Sequence, residues 1–155
     1  MKQLQGTMSS KKVCIRGATF RDVLDWNSNN NLVTRPNIGT LWKKLIHVAD
    51  DCSGCIVAYL LSKEEEEGNG HFCIASLFVH HTYRKRRIAT DLITATQNTM
   101  EQSCLGMHVR KSNSAALGLF EKMGYTLHEV KAKYFDDEED AIVLRKILKG
   151  KHVAT

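Results

Sequence analysis

The sequence contains no long hydrophobic run and no recognisable export signal. No apolar segment among its 155 residues approaches the roughly 20 that a membrane-spanning helix needs. Residues 1–12 also lack the apolar stretch of a secretory signal. We therefore expect a cytoplasmic protein without membrane contact. Its length predicts one domain over residues 11–150, between a disordered tail at residues 1–10 and a short tail at residues 151–155.

The excess of positive over negative charge is also small. The net charge is only +5, because two acidic runs, Glu64–Glu67 and Asp136–Asp140, offset part of the basic residues. A protein that binds nucleic acid would concentrate more positive charge on one face, so we expect no direct contact with nucleic acid. The phosphates of a small cofactor account equally well for one local basic patch.

The cysteines do not form a disulfide pattern. They are five in number and scattered, and we expect reduced thiols. Cys52 and Cys55 have the spacing of half a zinc site or of a redox pair, but zinc normally needs a second pair of ligands, and only His47 lies nearby in sequence. The Ser-Gly between them is more typical of a hairpin turn, in which Gly54 supplies unusual dihedral angles. We expect no metal site.

Hydrophobic periodicity predicts seven strands and several helices. Thr19 is a candidate N-cap for a helix over Phe20–Trp26, and a longer helix is predicted over Arg86–Gln102. Strands are predicted at Lys12–Arg16, Leu45–Ala49, Cys55–Leu61, Phe72–Val79, Gly106–Val109, Tyr125–Tyr134 and Ala141–Leu148, with a loop at Arg35–Gly39, a helical turn at Thr40–Lys44 and a helix from Ser112 or Asn113 to Met123 and Gly124. Phe72–Val79 is expected to be central and covered on both faces. This order indicates an α/β (α+β) fold with a mixed six- to seven-stranded sheet and about four helices on its faces.

The most informative stretch is Ser76–Thr90, where an apolar strand runs into a short basic loop that opens a helix. Free backbone amides and the positive end of the helix dipole favour anions there, and Arg and Lys side chains add charge. A second junction of strand and helix, His108–Asn113, is suited to lie beside the first. Together they predict a site for a phosphate-rich cofactor such as coenzyme A, and hence group transfer.

A set of segments, taken in order, resembles the GCN5-related N-acetyltransferase (GNAT) superfamily, and within it the catalytic subunits of eukaryotic N-terminal protein acetyltransferases of A-type and B-type. The segments are Gly70-His71, Ile74, Ser76-Leu77, Tyr83–Lys85, Ile88-Ala89, His108–Ala116, Met123–Tyr125, Lys133-Tyr134, Glu139–Ala141 and Leu144–Lys146. The resemblance covers about residues 12–148. It implies the GNAT fold, acetyl-CoA as the acetyl donor and a peptide or protein N-terminus as the substrate, and it further suggests an auxiliary subunit and ribosome association.

The resemblance also implies which residues hold the cofactor. The backbone of Leu77, Phe78 and Val79 would hydrogen-bond the pantetheine arm and the acetyl group. The family's pyrophosphate loop, Arg/Gln-x-x-Gly-x-Gly/Ala, corresponds to Arg84, Lys85, Arg86, Arg87, Ile88 and Ala89. Arg87 stands where the pattern has glycine, and arginine would cost about 1–2 kcal/mol if its φ is positive; we expect a helical φ, which arginine fits. Asn113 and Ala116 would contact the cofactor arm. Phe120 would lie near the thioester sulfur, where the family's usual tyrosine can protonate the leaving thiolate.

His108 is the candidate general base, because it matches the histidine of the family's Leu-His-Val run and imidazole titrates near physiological pH. A purely structural histidine is the alternative. On the neighbouring strand, alternation places His71, Cys73 and Ala75 on one face. His71 is a second catalytic candidate, although a surface role is the simpler interpretation, and Cys73 stands where some relatives have a tyrosine that helps to relay the proton.

The substrate wall departs from the family pattern. Tyr134 and Phe135 match an aromatic pair that closes over the substrate N-terminus, with Phe135 replacing a tyrosine, and Cys73 and Ala75 would line the same pocket. Residues 31–38 contain no acid where both relatives have a glutamate, so their first-residue preference does not transfer. Asp136–Asp140 is interpreted as a solvated turn in preference to a device that steers the substrate amine. Two rival functions are a GNAT enzyme for lysine or small amines, and a non-catalytic module that binds acyl-CoA or an auxiliary subunit.

Overall fold

The computed structural model describes residues 12–26, 33, 44–66, 68–100 and 103–148. Its elements are β1 (Cys14–Gly17), α1 (Phe20–Leu24), β2 (Lys44–Asp50), β3 (Ile56–Glu64), β4 (His71–Val79), a 3₁₀ turn (His81–Tyr83), α2 (Ile88–Thr99), β5 (Cys104–Arg110), α3 (Ser114–Lys122), β6 (Thr126–Lys131) and β7 (Ala141–Ile147). The predicted tails and the loop at Arg35–Gly39 lie outside the described residues. So does the predicted helical turn at residues 40–44, except for Lys44, which begins β2.

The seven strands of the described part of the chain form one mixed sheet in the order β1-β2-β3-β4-β5-β7-β6. Among these strands only the pair β4–β5 is parallel, and every other pair is antiparallel. The predicted mixed α/β sheet is confirmed, with three α-helices in the described part of the chain instead of about four. No helix there is long and apolar enough to cross a bilayer.

The centre of the sheet opens between β4 and β5. These strands pair only from His71↔Cys104 to Ile74↔Met107, although both continue beyond that point. The register between β3 and β4 shifts between Leu61 and Ser62, so that Ala75 is an extra residue in β4. A bulge of this kind bends a strand and increases its twist. The second half of β4 therefore diverges from β5, leaving a gap in the sheet.

Two apolar clusters cover the sheet. The larger contains Leu92 and Ile93 of α2 and Phe120 of α3, and the smaller is built around Trp26 and Tyr59. Strand β3 is covered on both faces and is buried from Ile56 to Ser62, and β2 is likewise buried from Ile46 to Asp50. The expectation that β4 is covered on both faces is wrong, because its second half borders the gap and stays partly exposed.

Local capping explains where the helices begin and end. Thr19 forms a capping box with Asp22 at the start of α1, and Asn113 caps α3, as predicted for both. Gly124 follows α3 with φ +89°, in the conformation that favours glycine. The start of α2 is corrected from Arg86 to Ile88. Its first turn cannot begin earlier because the preceding Arg87 has a left-handed backbone.

A disulfide joins Cys14 and Cys52, so the expectation of five reduced cysteines is wrong. The bond follows from strand pairing. Cys14 lies opposite Asp50 in the β1–β2 pair, which places it beside the turn that follows β2. The sequence separation of 38 positions between the two cysteines conceals this proximity. Cys55, Cys73 and Cys104 form no disulfide. Cys52 and Cys55 flank the predicted hairpin turn between β2 and β3.

A buried histidine links the sheet to α2. His47 is only 5% exposed, and its Nδ1 lies 3.1 Å from the hydroxyl of Thr96, which itself donates to the Leu92 carbonyl. The hydroxyl has one proton, so Nδ1–H is the donor to Thr96. Burial lowers the pKa of His47, because charging the ring would require desolvation of an imidazolium, and the neutral ring is therefore favoured at pH 7.

Replacing His47 will therefore change how stability depends on pH. A folded-state pKa below the unfolded value of about 6.5 means full stability above that pH and progressive loss as pH falls below it. Urea denaturation gives the free energy of unfolding at pH 7.5 and at pH 5.5. The decrease between these two pH values will be smaller for His47→Gln than for the wild type. His128→Gln, on the exposed strand β6, is the control and will keep the wild-type slope. Equal slopes for His47→Gln and the wild type would contradict the neutral assignment.

Candidate active site

A cavity of about 460 Å³ lies where β4 and β5 diverge. Its lining consists of Lys63, Glu65, Cys73, Ile74, Ala75, Met107, His108, Lys131, Tyr134 and Phe135. The cavity thus brings together five of the residues assigned from the sequence, namely Cys73, Ala75, His108, Tyr134 and Phe135. They come from β4, β5 and the loop between β6 and β7, so that loop closes one side of the gap.

His108 is the polar centre of this cavity. Its ring stacks on Tyr134 with 4.8 Å between centroids, and its Nδ1 lies 3.7 Å from the sulfur of Cys73. Its Nε2 is buried and has no hydrogen-bond partner among the described residues. Burial lowers the pKa of His108, and the positive charge of Lys131 lowers it further. The ring is therefore neutral at pH 7, with one nitrogen unengaged, which is the state that a general base requires.

His71 does not reach this cavity. It is the first residue of β4 and lies opposite Cys104, the first residue of β5, whereas His108 comes four residues later along β5. Four residues of strand span about 13 Å. His71 instead lines a separate groove of about 530 Å³ beside Cys104, Thr126 and His128.

The loop before α2 presents an array of free amides. Lys85 and Arg87 both have φ of 61°, and this alternation of backbone conformation makes successive N–H groups converge into an anion-binding concavity, or nest. Among the described residues, none accepts a hydrogen bond from the amides of residues 85–90. Arg84 donates to the Val79 carbonyl at 3.2 Å, and Arg86 lies 5.1 Å above the ring of Tyr83. Ile88 is buried and Ala89 is half-buried at the helix start.

Arg87 thus occupies the left-handed region, and the expectation of a helical φ is wrong. Glycine accepts this region without penalty, whereas a residue with a Cβ pays about 1–2 kcal/mol. Two substitutions that both remove the side chain isolate this backbone effect. We expect Arg87→Gly to unfold with a free energy about 1 kcal/mol higher than Arg87→Ala, measured by urea denaturation. Asp91 lies inside α2, so there the order will be reversed, and Asp91→Gly will have a lower free energy of unfolding than Asp91→Ala. If the Gly variant were the more stable one at both positions, or the less stable one at both, the left-handed assignment of Arg87 would be contradicted.

The edge of β4 that faces the gap carries backbone groups that pair with no other strand in the described part of the chain. The amide of His80 donates to Val57 in β3, so alternate residues, Phe78 and Ser76, also point their backbone groups toward β3. Leu77 and Val79 then direct theirs toward the gap, where the Val79 carbonyl already accepts a hydrogen bond from Arg84. The side chains of Leu77 and Val79 pack against the larger apolar cluster, while Phe78 stacks on Tyr59 on the other face.

On the far side of the gap, α3 begins at Asn113. The Asn113 side chain accepts a hydrogen bond from the Ala116 amide at 3.1 Å, which leaves its own NH₂ group to donate elsewhere. Ala116 is half-buried in the first turn. Phe120 is fully buried and packs edge-to-face on Tyr125 at 5.0 Å. The Phe120 ring therefore lies in the core in this structure and not at the surface of the gap.

Arg110 also belongs to this region, although the sequence analysis assigned it no role. Its guanidinium contacts Asp137 at 2.9 Å and Glu139 at 3.1 Å, and it lies 4.1 Å above the Phe135 ring. Glu139 also accepts a hydrogen bond from the Ser112 amide. The acidic segment is thus fastened to the β5–α3 loop and is more than a solvated turn. The opposite charges were visible in the sequence, but their proximity depends on the β5–β7 register that pairs Arg110 with Ala141.

Comparison with known proteins agrees with this geometry. The sequence model of the acetyltransferase (GNAT) family matches residues 18–125. The N-terminal acetyltransferase A complex catalytic subunit NAA10 of Arabidopsis thaliana is 44% identical over 153 residues, covering 90% of this chain and 80% of that protein. The corresponding ard1 subunit of Schizosaccharomyces pombe is 35% identical, covering 68% of this chain and 64% of that protein; the chain thus spans less than two thirds of its length.

The fold also matches solved structures. Arabidopsis thaliana Naa50, in complex with the bisubstrate analogue CoA-Ac-MVNAL, superposes with a TM-score of 0.68 at 18% identity, over 86% of this chain and 97% of that chain. At that identity the likeness concerns the fold alone, but the sequence relatives and the family match extend it to activity. The chain belongs to the acetyltransferase (GNAT) family and is an acetyl-CoA-dependent N-acetyltransferase.

Proposed function

We propose that this enzyme acetylates the α-amino group of peptide and protein N-termini, with His108 as the general base. The observation that carries the proposal is the neutral His108 ring, with a buried and unengaged Nε2, in the cavity between β4 and β5. Bound acetyl-CoA supplies the acetyl group as a thioester, which the amine attacks directly, releasing coenzyme A. His108 takes up the proton that the amine loses, directly or through a water molecule.

The weakness of this base favours an α-amine over a lysine. An α-amino group has a pKa of about 7.7–8.0, so about one molecule in ten is already neutral at pH 7, whereas a lysine near 10.4 is almost fully charged. Burial and Lys131 lower the pKa of His108, so its neutral form predominates at pH 7 but it is a poor acceptor for a lysine proton. The α-amine is the nucleophile that this site can use.

The nest and the open strand edge together suit acetyl-CoA. The free amides of residues 85–90 would bind the pyrophosphate, with the exposed side chains of Lys85 and Arg87 adding positive charge. The backbone groups of Leu77 and Val79 would pair with the pantetheine arm as a strand would. Asn113 and Ala116 would contact that arm from α3. Phe120 would support α3 from behind, where it contributes no proton.

The substrate N-terminus would enter from the opposite side of the gap. Tyr134 and Phe135 would cover it, and Cys73 and Ala75 would form the floor beside His108. Because Nε2 is shielded from water in this structure, an incoming amine reaches it only after the side chains around the cavity shift, including the stacked ring of Tyr134.

The relatives are described as catalytic subunits of complexes. We extend this to an auxiliary subunit for the present enzyme, and to action in the cytoplasm on chains that emerge from ribosomes. Co-purification of a tagged chain with ribosomes, compared before and after a high-salt wash, tests this assembly. A tagged chain that purifies without ribosomes before the wash as well as after it would contradict this assembly.

The position of the acetyl group tests the proposed activity. The enzyme is incubated with acetyl-CoA and two matched peptide libraries, one with a free N-terminus and no lysine, the other with a blocked N-terminus and one lysine. Mass spectrometry will find acetylation in the first library only. Acetylation of the lysine library alone would favour a lysine or small-amine acetylase, and acetyl-CoA binding with no product in either library would favour a non-catalytic module.

A further inference from the structure

Cys73 lies directly against the side of the His108 ring that faces away from Nε2. The thiol is buried, only 7% exposed, and its sulfur lies 3.7 Å from Nδ1 of His108. The same sulfur lies 3.6 Å from the carbonyl oxygen of Ile74, to which it donates. Sulfur contacts of this length fall within the range of weak hydrogen bonds.

The single thiol proton determines the direction of the contact with His108. Burial raises the pKa of Cys73, so the group is a thiol with one S–H. That proton is directed at the Ile74 carbonyl, which can only accept. A thiol that donates to Ile74 presents only lone pairs to His108, and in that arrangement Nδ1 is the donor. A neutral imidazole carries one N–H, so Nε2 then has a free lone pair and no proton.

The geometry points to Cys73 as a positioning residue that holds His108 in the tautomer with the proton on Nδ1 and the lone pair on Nε2. The inference rests on the proposed function, since only this tautomer lets Nε2 accept the amine proton. Its importance comes from the intrinsic preference of histidine, which carries its proton on Nε2 when no neighbour intervenes. Without the hydrogen bonds that run from His108 to Cys73 and from Cys73 to the Ile74 carbonyl, the ring would present an N–H to the amine and could not take its proton.

The two possible tautomers leave different atoms unsatisfied. With the proton on Nδ1, the unengaged Nε2 is an acceptor that faces a cavity whose substrate brings a donor. With the proton on Nε2, the same buried atom would be a donor without a partner among the described residues, and the thiol would have to abandon the Ile74 carbonyl. The first arrangement satisfies every polar hydrogen of the pair.

Nitrogen-15 NMR of the free enzyme reads the tautomer directly and requires no turnover. At a pH of about 8, well above the pKa of free histidine, the His108 resonances of the wild type will show a protonated Nδ1 and an unprotonated Nε2. Cys73→Val removes the acceptor, and Cys73→Thr keeps a hydroxyl in a side chain of almost the same shape. The Val variant will shift His108 toward the Nε2–H form, and the Thr variant will keep the wild-type pattern.

Kinetics supply the second readout. Cys73→Val will lower kcat about fivefold, the factor that corresponds to one ordinary hydrogen bond, with a KM for acetyl-CoA within about twofold of wild type. Cys73→Thr will recover most of kcat. Equal loss in both variants would indicate a packing role only, and would overturn the inference.

The wild-type spectrum decides the matter if either variant does not fold. A proton on Nε2 of wild-type His108 overturns the inference irrespective of activity. The expected tautomer, combined with a His108→Ala variant that retains turnover, would instead overturn the base assignment in the proposed function and leave the Cys73 contact standing. The two failures are therefore distinguishable.

Discussion

His108→Ala will reduce kcat about 100-fold while leaving the affinity for acetyl-CoA unchanged. The expected loss corresponds to the lower end of what general-base catalysis contributes, because a fraction of the α-amine is already neutral at pH 7. Affinity is preserved because the proposed cofactor site, made of the amides of residues 85–90 and the edge of β4, does not include His108. Steady-state kinetics give kcat, and isothermal titration calorimetry gives the dissociation constant of acetyl-CoA.

A matched histidine variant controls for the loss of an imidazole. His71→Ala removes a histidine that lines the separate groove, and its kcat will stay within about twofold of wild type. A His108→Ala enzyme with undiminished kcat would reduce His108 to a structural residue. A large loss for His71→Ala with little loss for His108→Ala would restore the assignment of His71 that the geometry disfavours.

Arg110→Gln will lower kcat/KM for the peptide about tenfold. The guanidinium joins Asp137 and Glu139 to the ring of Phe135, and so sets the position of the loop that carries Tyr134 over His108. Small displacements of positioning groups cost one to two orders of magnitude in rate. Salt screens exposed ion pairs such as these, so at raised ionic strength the kcat/KM of the wild type will fall toward that of the variant. The measurement is kcat/KM against peptide at low and high salt.

Two neighbouring substitutions sharpen this result. Arg110→Lys will not recover activity, because lysine can neither bridge two carboxylates with a planar fork nor stack on an aromatic ring in the same way. Lys111→Gln removes the adjacent exposed cation and will behave as wild type. If Lys111→Gln lowers kcat/KM as much as Arg110→Gln, the effect belongs to overall charge and not to the fastening of the loop.

The elements that the sequence predicted are those governed by local chemistry. Thr19 and Asn113 have side chains that cap helices wherever the chain allows, and Gly124 is the residue type that a left-handed helix end selects. The alternation and length of apolar runs placed the seven strands within a few residues. The resemblance to the GNAT family, drawn from motifs such as His108–Ala116, is confirmed by the family match.

The features that the sequence did not predict depend on pairing between distant strands. The Cys14–Cys52 disulfide follows from the β1–β2 register, and the contacts of Arg110 follow from the β5–β7 register. The bulge at Ala75 is a property of two strands together and has no signature in either one. Arg87 is a different case, because an arginine in the left-handed region contradicts its own preference, and only the surrounding loop imposes that conformation.

The candidate site depends on both kinds of information. His108 and Tyr134 were identified from motifs, and the fold brings them together in the cavity between β4 and β5. The burial of Phe120 and the separation of His71 from the cavity are consequences of helix packing and of strand register, which no motif encodes. The role that we infer for Cys73 likewise depends on a contact between two strands that diverge immediately afterwards.

A crystal structure of the enzyme with a bisubstrate analogue, in which coenzyme A is joined to a peptide N-terminus, tests the central claim most directly. We expect the pyrophosphate oxygens to accept hydrogen bonds from the amides of residues 85–90. The nitrogen that represents the substrate amine should lie between β4 and β5, within direct or water-bridged reach of His108 Nε2. An analogue whose pyrophosphate lies away from this loop, or whose amine nitrogen lies outside that cavity, would contradict the account.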